Sequence, residues 1–418
     1  MAKSRTPDSS EFFMPLLTFF RENSRWVAGG FLLTLFSGFG QTFFISLSAG
    51  EIRSEFGLSH GGFGGLYMVA TLASALTLPI LGKVVDMITI ARVAAFTIPA
   101  LMLATVSMAM AGNVIWLGVT IYALRLFGQG MMTHIAMTAM GRWFAAQRGR
   151  AVSLATLGHN VGEAVFPSVF VVAGLALGWR GAWLAAALVL VLVALPAIYL
   201  LMRVERVPRE TDTPSERPSV RDWTRPEVLR DPLFWMALSG ILAPGFIGTT
   251  VFFHQVYLSE LRGWPPGVFA SAFIVMSVMT IIFALISGQL IDRFSAVRIL
   301  PAFLLPLAAS CVVLALSVSP VGAYGFMALM GISYGFSSTL FGALWPELYG
   351  IKHLGAIRAV VVALMVFATA AGPGLTGWLI DNGVSYPAQI MGMGLYCLVA
   401  SVMMIVVSRK ASTRELAI

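Results

Sequence analysis

The sequence predicts an all-α membrane protein of twelve transmembrane helices arranged as two six-helix repeats. Three observations carry that prediction. Hydrophobic residues make up 58% of the chain and charged residues 11%, with a mean hydropathy of +0.85. Soluble domains run at roughly 45–50% apolar and about a quarter charged, so this composition belongs in lipid. Twelve apolar runs of spanning length follow one another along the chain. A short charged turn also occurs twice, half the chain apart. A closed β-barrel is the other spanning solution, but these runs are too long for strands and lack their alternation.

Residues 1–23 form a cytoplasmic segment. Within it "EFFMPLLTFF", Glu11 to Phe20, reads as an interfacial helix, too short and interrupted for a span. A helix needs about 20 mostly apolar residues to cross the hydrocarbon core. Such runs begin near Trp26, Phe63, Val93, Ile115, Val152 and Ala182, giving an amino-terminal bundle over 24–202. The next begin near Phe234, Val268, Ile299, Tyr324, Ala359 and Pro387, giving a carboxy-terminal bundle over 233–408. Between them lies a polar linker, 203–232. Up to Asp231 it holds seven Arg, seven acidic residues and four Pro, a composition that cannot bury a core. Residues 409–418 are a cytoplasmic tail.

The halves repeat each other. "EIR" at Glu51–Arg53 ends the first helix and "ELR" at Glu260–Arg262 ends the seventh, 209 positions on. Gly82, Asp86 and Arg92 follow the second helix, and Gly288, Asp292 and Arg298 follow the eighth, 206 positions on. The difference of three fits a shorter loop between the seventh and eighth helices.

Orientation comes from Lys and Arg in the loops. With the amino terminus inside, 23 of the 27 lie in internal segments and only Arg53, Arg180 and Arg262 lie outside. Both termini are then cytoplasmic, in a multi-pass protein of the inner (plasma) membrane. The net charge of +8 is topology rather than a nucleic-acid surface. Cys311 and Cys397 fall inside apolar runs, so neither a disulfide framework nor a metal site is expected, and no cofactor. No cleavable signal peptide is expected, since eleven further spans follow the first strong apolar run. "GISYG", Gly331 to Gly335, matches a hydrolase pattern but lies in a spanning run with no strand-to-helix turn. No phosphate loop G-x-x-x-x-G-K-[ST] occurs. The chain reads as no enzyme.

Two parallel six-helix repeats are an arrangement of many secondary transporters. The duplicated turn resembles the hallmark "G-x-x-x-D-R-x-G-R/K" of the major facilitator superfamily. The second copy keeps Asp292-Arg293, whereas the first has Met87 where the family has Arg. The resemblance implies a gating role for Asp86, Arg92, Asp292, Arg293 and Arg298, with Asp86 locking one state by contacting the start of the eleventh helix. The alternative is a topology marker with a solvated charge. "RWFAAQRGRAVSLATLGHNVGEAVFP" followed by "GWRGAW" resembles the branch holding oxalate:formate antiporters and monocarboxylate transporters.

Ionisable groups inside spans are costly and are functional candidates by default. In the fourth helix Tyr122, Arg125 and Gln129 share a face, with Arg125 roughly 14 Å in from the outer side. "RLFGQG" is similar to the superfamily's fourth-helix motif, whose Arg serves substrate binding or coupling. In the fifth helix Thr156, His159 and Glu163 share a face, with Glu163 roughly 18 Å deep. An Arg125–Glu163 pair is expected, either as a permanent bridge between these helices or as a cavity pair. In the second case Arg125 holds a carboxylate and Glu163 a proton. His134 turns to the opposite side and reads as packing. His159 and Glu163 have metal-ligand spacing but no third ligand. His254 stands in the outer part of the seventh helix. Gln41 in the first helix, and Tyr334 and Ser337 in the tenth, either line a pathway or bond between helices. Pro244-Gly245 and Pro373-Gly374 permit kinks.

The expected function is secondary transport by alternating access, as a monomer in the lipid bilayer. The expected substrate is a small organic anion, a monocarboxylate, moved with protons or by exchange. The interiors of the eighth and eleventh helices carry no charge, which disfavours dianions. The competing reading is proton-driven export of drugs or other hydrophobic molecules. Against it, the first helix has no deep acidic residue, and the fifth has "GEAVFP" in place of the Gly-Pro motif of such exporters. A non-transporting membrane sensor is disfavoured because no appended signalling domain is present.

Overall fold

The computed structural model describes residues 9–144, 147–206, 221–350 and 352–415, with the side chains of 9–18, 148, 292 and 414–415 outside the description. Much of the 203–232 linker therefore lies outside it. Among the described residues every regular element is helical.

The helix α1 runs as Ser9–Phe36 with a kink at Asn23 (φ −120°, ψ 16°), and the first span begins within it, at Phe19. A 3₁₀ turn, Ser37–Gly40, follows it. The chain is then extended at Gln41 (φ −85°, ψ 156°) and resumes as Thr42–Ile45 and Ala49–Phe56. The halves of this span bend by 42°. Two glycines in "SGFGQ" are the cause, since each weakens a helix interior by about 1 kcal/mol against Ala. Next come α2 (His60–Met87), α3 (Ile90–Met110) and α4 (Val114–Trp143). Within α4, Arg125–Met132 is π-helical.

The stretch Gly149–Met202 is continuous as a helix except at Gly178 (φ 71°, ψ 165°). At 1.5 Å per residue it would be about 80 Å long, far beyond a hydrocarbon core of about 30 Å. It is therefore two spans, α5 (149–177) and α6 (179–202), folded back at Gly178. The second half holds α7 (Pro232–Phe253, continued by Gln255–Arg262) and α8 (Gly267–Phe294). It goes on with α9 (Leu305–Leu316), α10 (Val321–Tyr349), α11 (Leu354–Asp381) and α12 (Tyr386–Glu415). The ninth run was expected from about Ile299, but α9 is shorter. Pro301 and Pro306 withhold backbone donors there, so residues 300–304 form turns.

The halves meet through α2 against α11 and α5 against α8, pairs that exchange when one repeat is laid on the other. Among the described residues, the hydrogen bonds crossing between the halves gather on one side of the helix 1 break. Ser46 Oγ donates to Phe252 O (2.7 Å), and Gln255 Nε2 donates to Phe43 O (3.3 Å). Ser168 Oγ donates to Ala270 O (3.2 Å), and Asp381 accepts from the start of α2. This end, with Arg53, Arg180 and Arg262, is the far end. The opposite one, with Asp86 and residues 203–206, is the linker end. The halves are thus joined at the far end.

Candidate functional site

The break in α1 lies against the π-helical turn of α4, and glycines permit the contact. A Cβ on Gly40 would stand 2.2 Å from Leu124 O, and one on Gly128 would stand 2.5 Å from Gly40 Cα. Both clashes are with backbone, which cannot swing aside. The interrupted helix frees backbone carbonyls, and Arg125 takes one of them. Its Nη1 donates to Gly40 O at 3.2 Å and to Thr42 Oγ1 at 3.4 Å. The guanidinium also lies over the Tyr67 ring, 5.3 Å from its centroid, and Tyr67 Oη shares a 2.6 Å hydrogen bond with Thr42 Oγ1. Arg125 is only 2% exposed, and its Nε–H has no partner among the described residues.

The expected Arg125–Glu163 pair is not formed. No ion pair or hydrogen bond joins the two among the described residues. The expectation used α-helical phase along α4, whereas a π turn re-aims the side chains within it. The neutral acceptors at the α1 break then capture the guanidinium. Glu163, on α5, is 6% exposed. It has no hydrogen-bond or ion-pair partner among the described residues. His159, one turn away, sets its ring edge-on to Phe43 at 6.3 Å. Among the described residues no cluster could hold a metal ion.

The remaining expected residues separate into distinct places. Gln41 is the extended residue of the break, and Gln129 is partly buried in the π turn. Tyr122 Oη donates to Thr77 Oγ1 (3.0 Å), tying α4 to α2. Tyr334 Oη donates to Pro244 O (3.1 Å) at the proline of α7. Ser337 bonds back to Ser333 O (2.7 Å) and is buried, so its hydroxyl is spent within α10 rather than presented to a cavity. His254 is 3% exposed and its Nε2 lies 3.2 Å from Pro373 O. It belongs to the far-end closure, beside Tyr386 and His60. His134 Nε2 lies 3.3 Å from Gly82 O.

Aromatic rings seal the far end. Phe63 and Tyr67 meet Phe253 at 5.0 and 4.8 Å, and Phe43 meets Phe273 at 5.8 Å. A cavity of about 800 Å³ lies beyond this seal, lined by Glu51, Glu55, Gln255, Ser259 and Glu260 among others. None of Arg125, His159 and Glu163 lines it, so it is not the central site.

At the linker end, Asp86 pairs with Arg142 (2.6 Å), the side chains being 72% and 39% exposed. Arg142 also donates to Val85 O. Arg92 and Arg298 are exposed, and Arg293 lies over Phe294. The Asp292 side chain lies outside the described ones. Glu347 accepts from Ala296 N and Val297 N, and Glu205 from Ile90 N, so carboxylates cap both turns.

Sequence reasoning missed Gly40, Thr42, Tyr67 and Arg142. The signal for the first two was present: glycines interrupting an apolar span point to a site in transporters. Arg142 stood in "RWFAAQRGR". Nothing in the pattern singled out Tyr67.

The sequence profile of the Major Facilitator Superfamily matches residues 30–362 and 257–417. Solved structures of a bacterial homolog of the human lysosomal transporter Spinster share this fold. Its inward-facing, unoccupied form has a TM-score of 0.69 at 17% identity, covering 93% of this chain and 97% of that one. Its inward-facing, occupied form has a TM-score of 0.66 at 16% identity, covering 94% and 96%. No curated protein matches the sequence.

Proposed function

The chain belongs to the Major Facilitator Superfamily of membrane transporters, and we propose that it is a secondary active transporter working by alternating access on a small organic anion, a monocarboxylate. One observation carries the substrate class. Arg125 is buried with its full charge, yet its acceptors are a carbonyl, a hydroxyl and an aromatic face. A buried cation without a counterion is costly, and a carboxylate is the group its planar fork fits best. A bound carboxylate would replace Gly40 O and Thr42 Oγ1 on the guanidinium and so act on the α1 break. Glu163 is the matching site for a coupled proton, because it too is buried without an opposite charge and protonation neutralises it. The sequence resemblance to the oxalate:formate and monocarboxylate branch agrees with this reading.

With the linker end cytoplasmic, as the Lys and Arg asymmetry requires, the joined far end faces outward. The conformation is then closed toward the outside, in the cell inner membrane.

One observation favours export of hydrophobic molecules instead. Beside Glu163 the wall is aromatic, with Phe39 and Phe166 stacked at 4.6 Å and Phe36 packed on both. In that reading Arg125 only clips α1 to α4. Counterflow in proteoliposomes separates the two. Acceleration by monocarboxylates supports the anion reading, whereas acceleration only by hydrophobic cations would overturn it.

A further inference from the structure

Asp381 ends α11, and its carboxylate reaches across to the other half of the molecule. It accepts from Gly61 N at 2.7 Å and from His60 N at 3.2 Å. These are two of the free donors at the start of α2, where the helix dipole also favours negative charge. A third, Gly62 N, goes to Ser59 Oγ at 2.9 Å within the same half. The start of α2 is thus capped jointly by its own serine and by a carboxylate from the opposite repeat.

Below this cap the two helices touch backbone to backbone. A Cβ on Gly64 would lie 2.5 Å from Pro373 O, and one on Gly377 would lie 2.4 Å from His60 O. Such an approach exists only while the far end is shut. The repeat does not reproduce it. The corresponding end of α5, residues 175–177, reads Leu-Ala-Leu, and Leu175 is 81% exposed. A charge kept on one side of the two-fold and absent from the other is not a relic of duplication.

We propose that Asp381 is the latch of the far end: with the glycine seam beneath it, it holds α2 against α11 in the far-end-closed state and must release for that end to open. Asp86 stands at the other end of α2, so that helix has a carboxylate contact at each end. The one from α11 is broken by far-end opening, whereas the Asp86–Arg142 pair stays within one half.

The test uses the full-length protein in lipid nanodiscs, with spin-label pairs across both ends. Cysteines at Gly112 and Val318 report the far end, and cysteines at Lys83 and Lys352 report the linker end. Asp381→Asn should raise the ratio of far-end-open to far-end-closed molecules about five-fold, the weight of one exposed charged cap. Asp381→Glu, which keeps the charge, should recover part of that shift. Gly64→Ala should shift the ratio more than about ten-fold, because the added methyl meets a carbonyl only in the closed state. Thermal unfolding checks that each variant is folded. If Asp381→Asn fails to fold, Gly64→Ala decides alone. Distance distributions unchanged in Asp381→Asn and Gly64→Ala would overturn the latch.

Discussion

Replacing Arg125 by Lys keeps the charge and changes the shape, which makes it the sharpest test of the anion site. The guanidinium reaches Gly40 O and Thr42 Oγ1 while lying over Tyr67, and its Nε–H is left for a ligand. An ammonium is a point charge on a flexible stem and cannot grip both carboxylate oxygens. The loss is at least one hydrogen bond to a charged partner, about 1.5–3 kcal/mol. That corresponds to a rise in KM of about 10- to 150-fold. Stability should change less, because the ammonium still reaches the carbonyl at the α1 break. Arg125→Gln should behave differently, removing the charge and destabilising the fold by about 1–3 kcal/mol as Gly40 O loses its donor. Counterflow of a labelled monocarboxylate gives KM and the maximal rate, and thermal unfolding in detergent gives the stability. A KM for Arg125→Lys within three-fold of wild type (~3), with a lowered Tm, would refute the reasoning and leave Arg125 as a clip between helices.

Glu163→Gln removes the proton site but keeps the shape; exchange of substrate for substrate should survive while accumulation driven by a pH gradient is lost. Because Arg125 and Glu163 do not pair, the stability effects of Arg125→Gln and Glu163→Gln should add within about 0.5 kcal/mol, and rescue in the double variant would show a bridge in another state. Gly40→Ala should destabilise by roughly 1–3 kcal/mol, since its methyl meets Leu124 O, whereas Gly149→Ala, in a helix with open space around it, should lose nothing and gain up to about 1 kcal/mol in the same unfolding assay. Asp86→Asn should leave stability within about 0.5 kcal/mol, as befits an exposed pair, yet shift molecules toward the linker-end-open state by weakening the contact with the start of α11 that the sequence resemblance implies for the closed state, read by labels at Lys83 and Lys352. In intact cells an impermeant thiol reagent should label a cysteine at Gly112 and miss one at Lys83; the reverse pattern would invert the orientation.

The fold was legible because lipid leaves the chain few choices. Every backbone group in a span must be satisfied within it, so apolar runs of spanning length become helices, and the duplicated turn divides them into halves. What escaped was everything that depends on a local departure from the α-helix. Facing residues were assigned from a regular period, and that period fails at Gln41 and at Arg125–Met132. The error at Arg125 follows directly. A guanidinium expected to turn toward Glu163 on α5 instead meets a carbonyl, Gly40 O, that is a free acceptor because α1 is broken, and the Thr42 hydroxyl beside it. The same logic explains Asp381, which the sequence pattern did not single out. Its partners are backbone N–H groups more than 300 residues away, and backbone donors carry no mark in a sequence. A pattern of side chains therefore reveals which spans are present, while the contacts made by main chain decide which charges within them have work to do. If that is right, the substitutions with the largest effect on the transport cycle will be at glycines where two backbones touch, Gly40, Gly64 and Gly377, rather than at the exposed charges of the repeated turn.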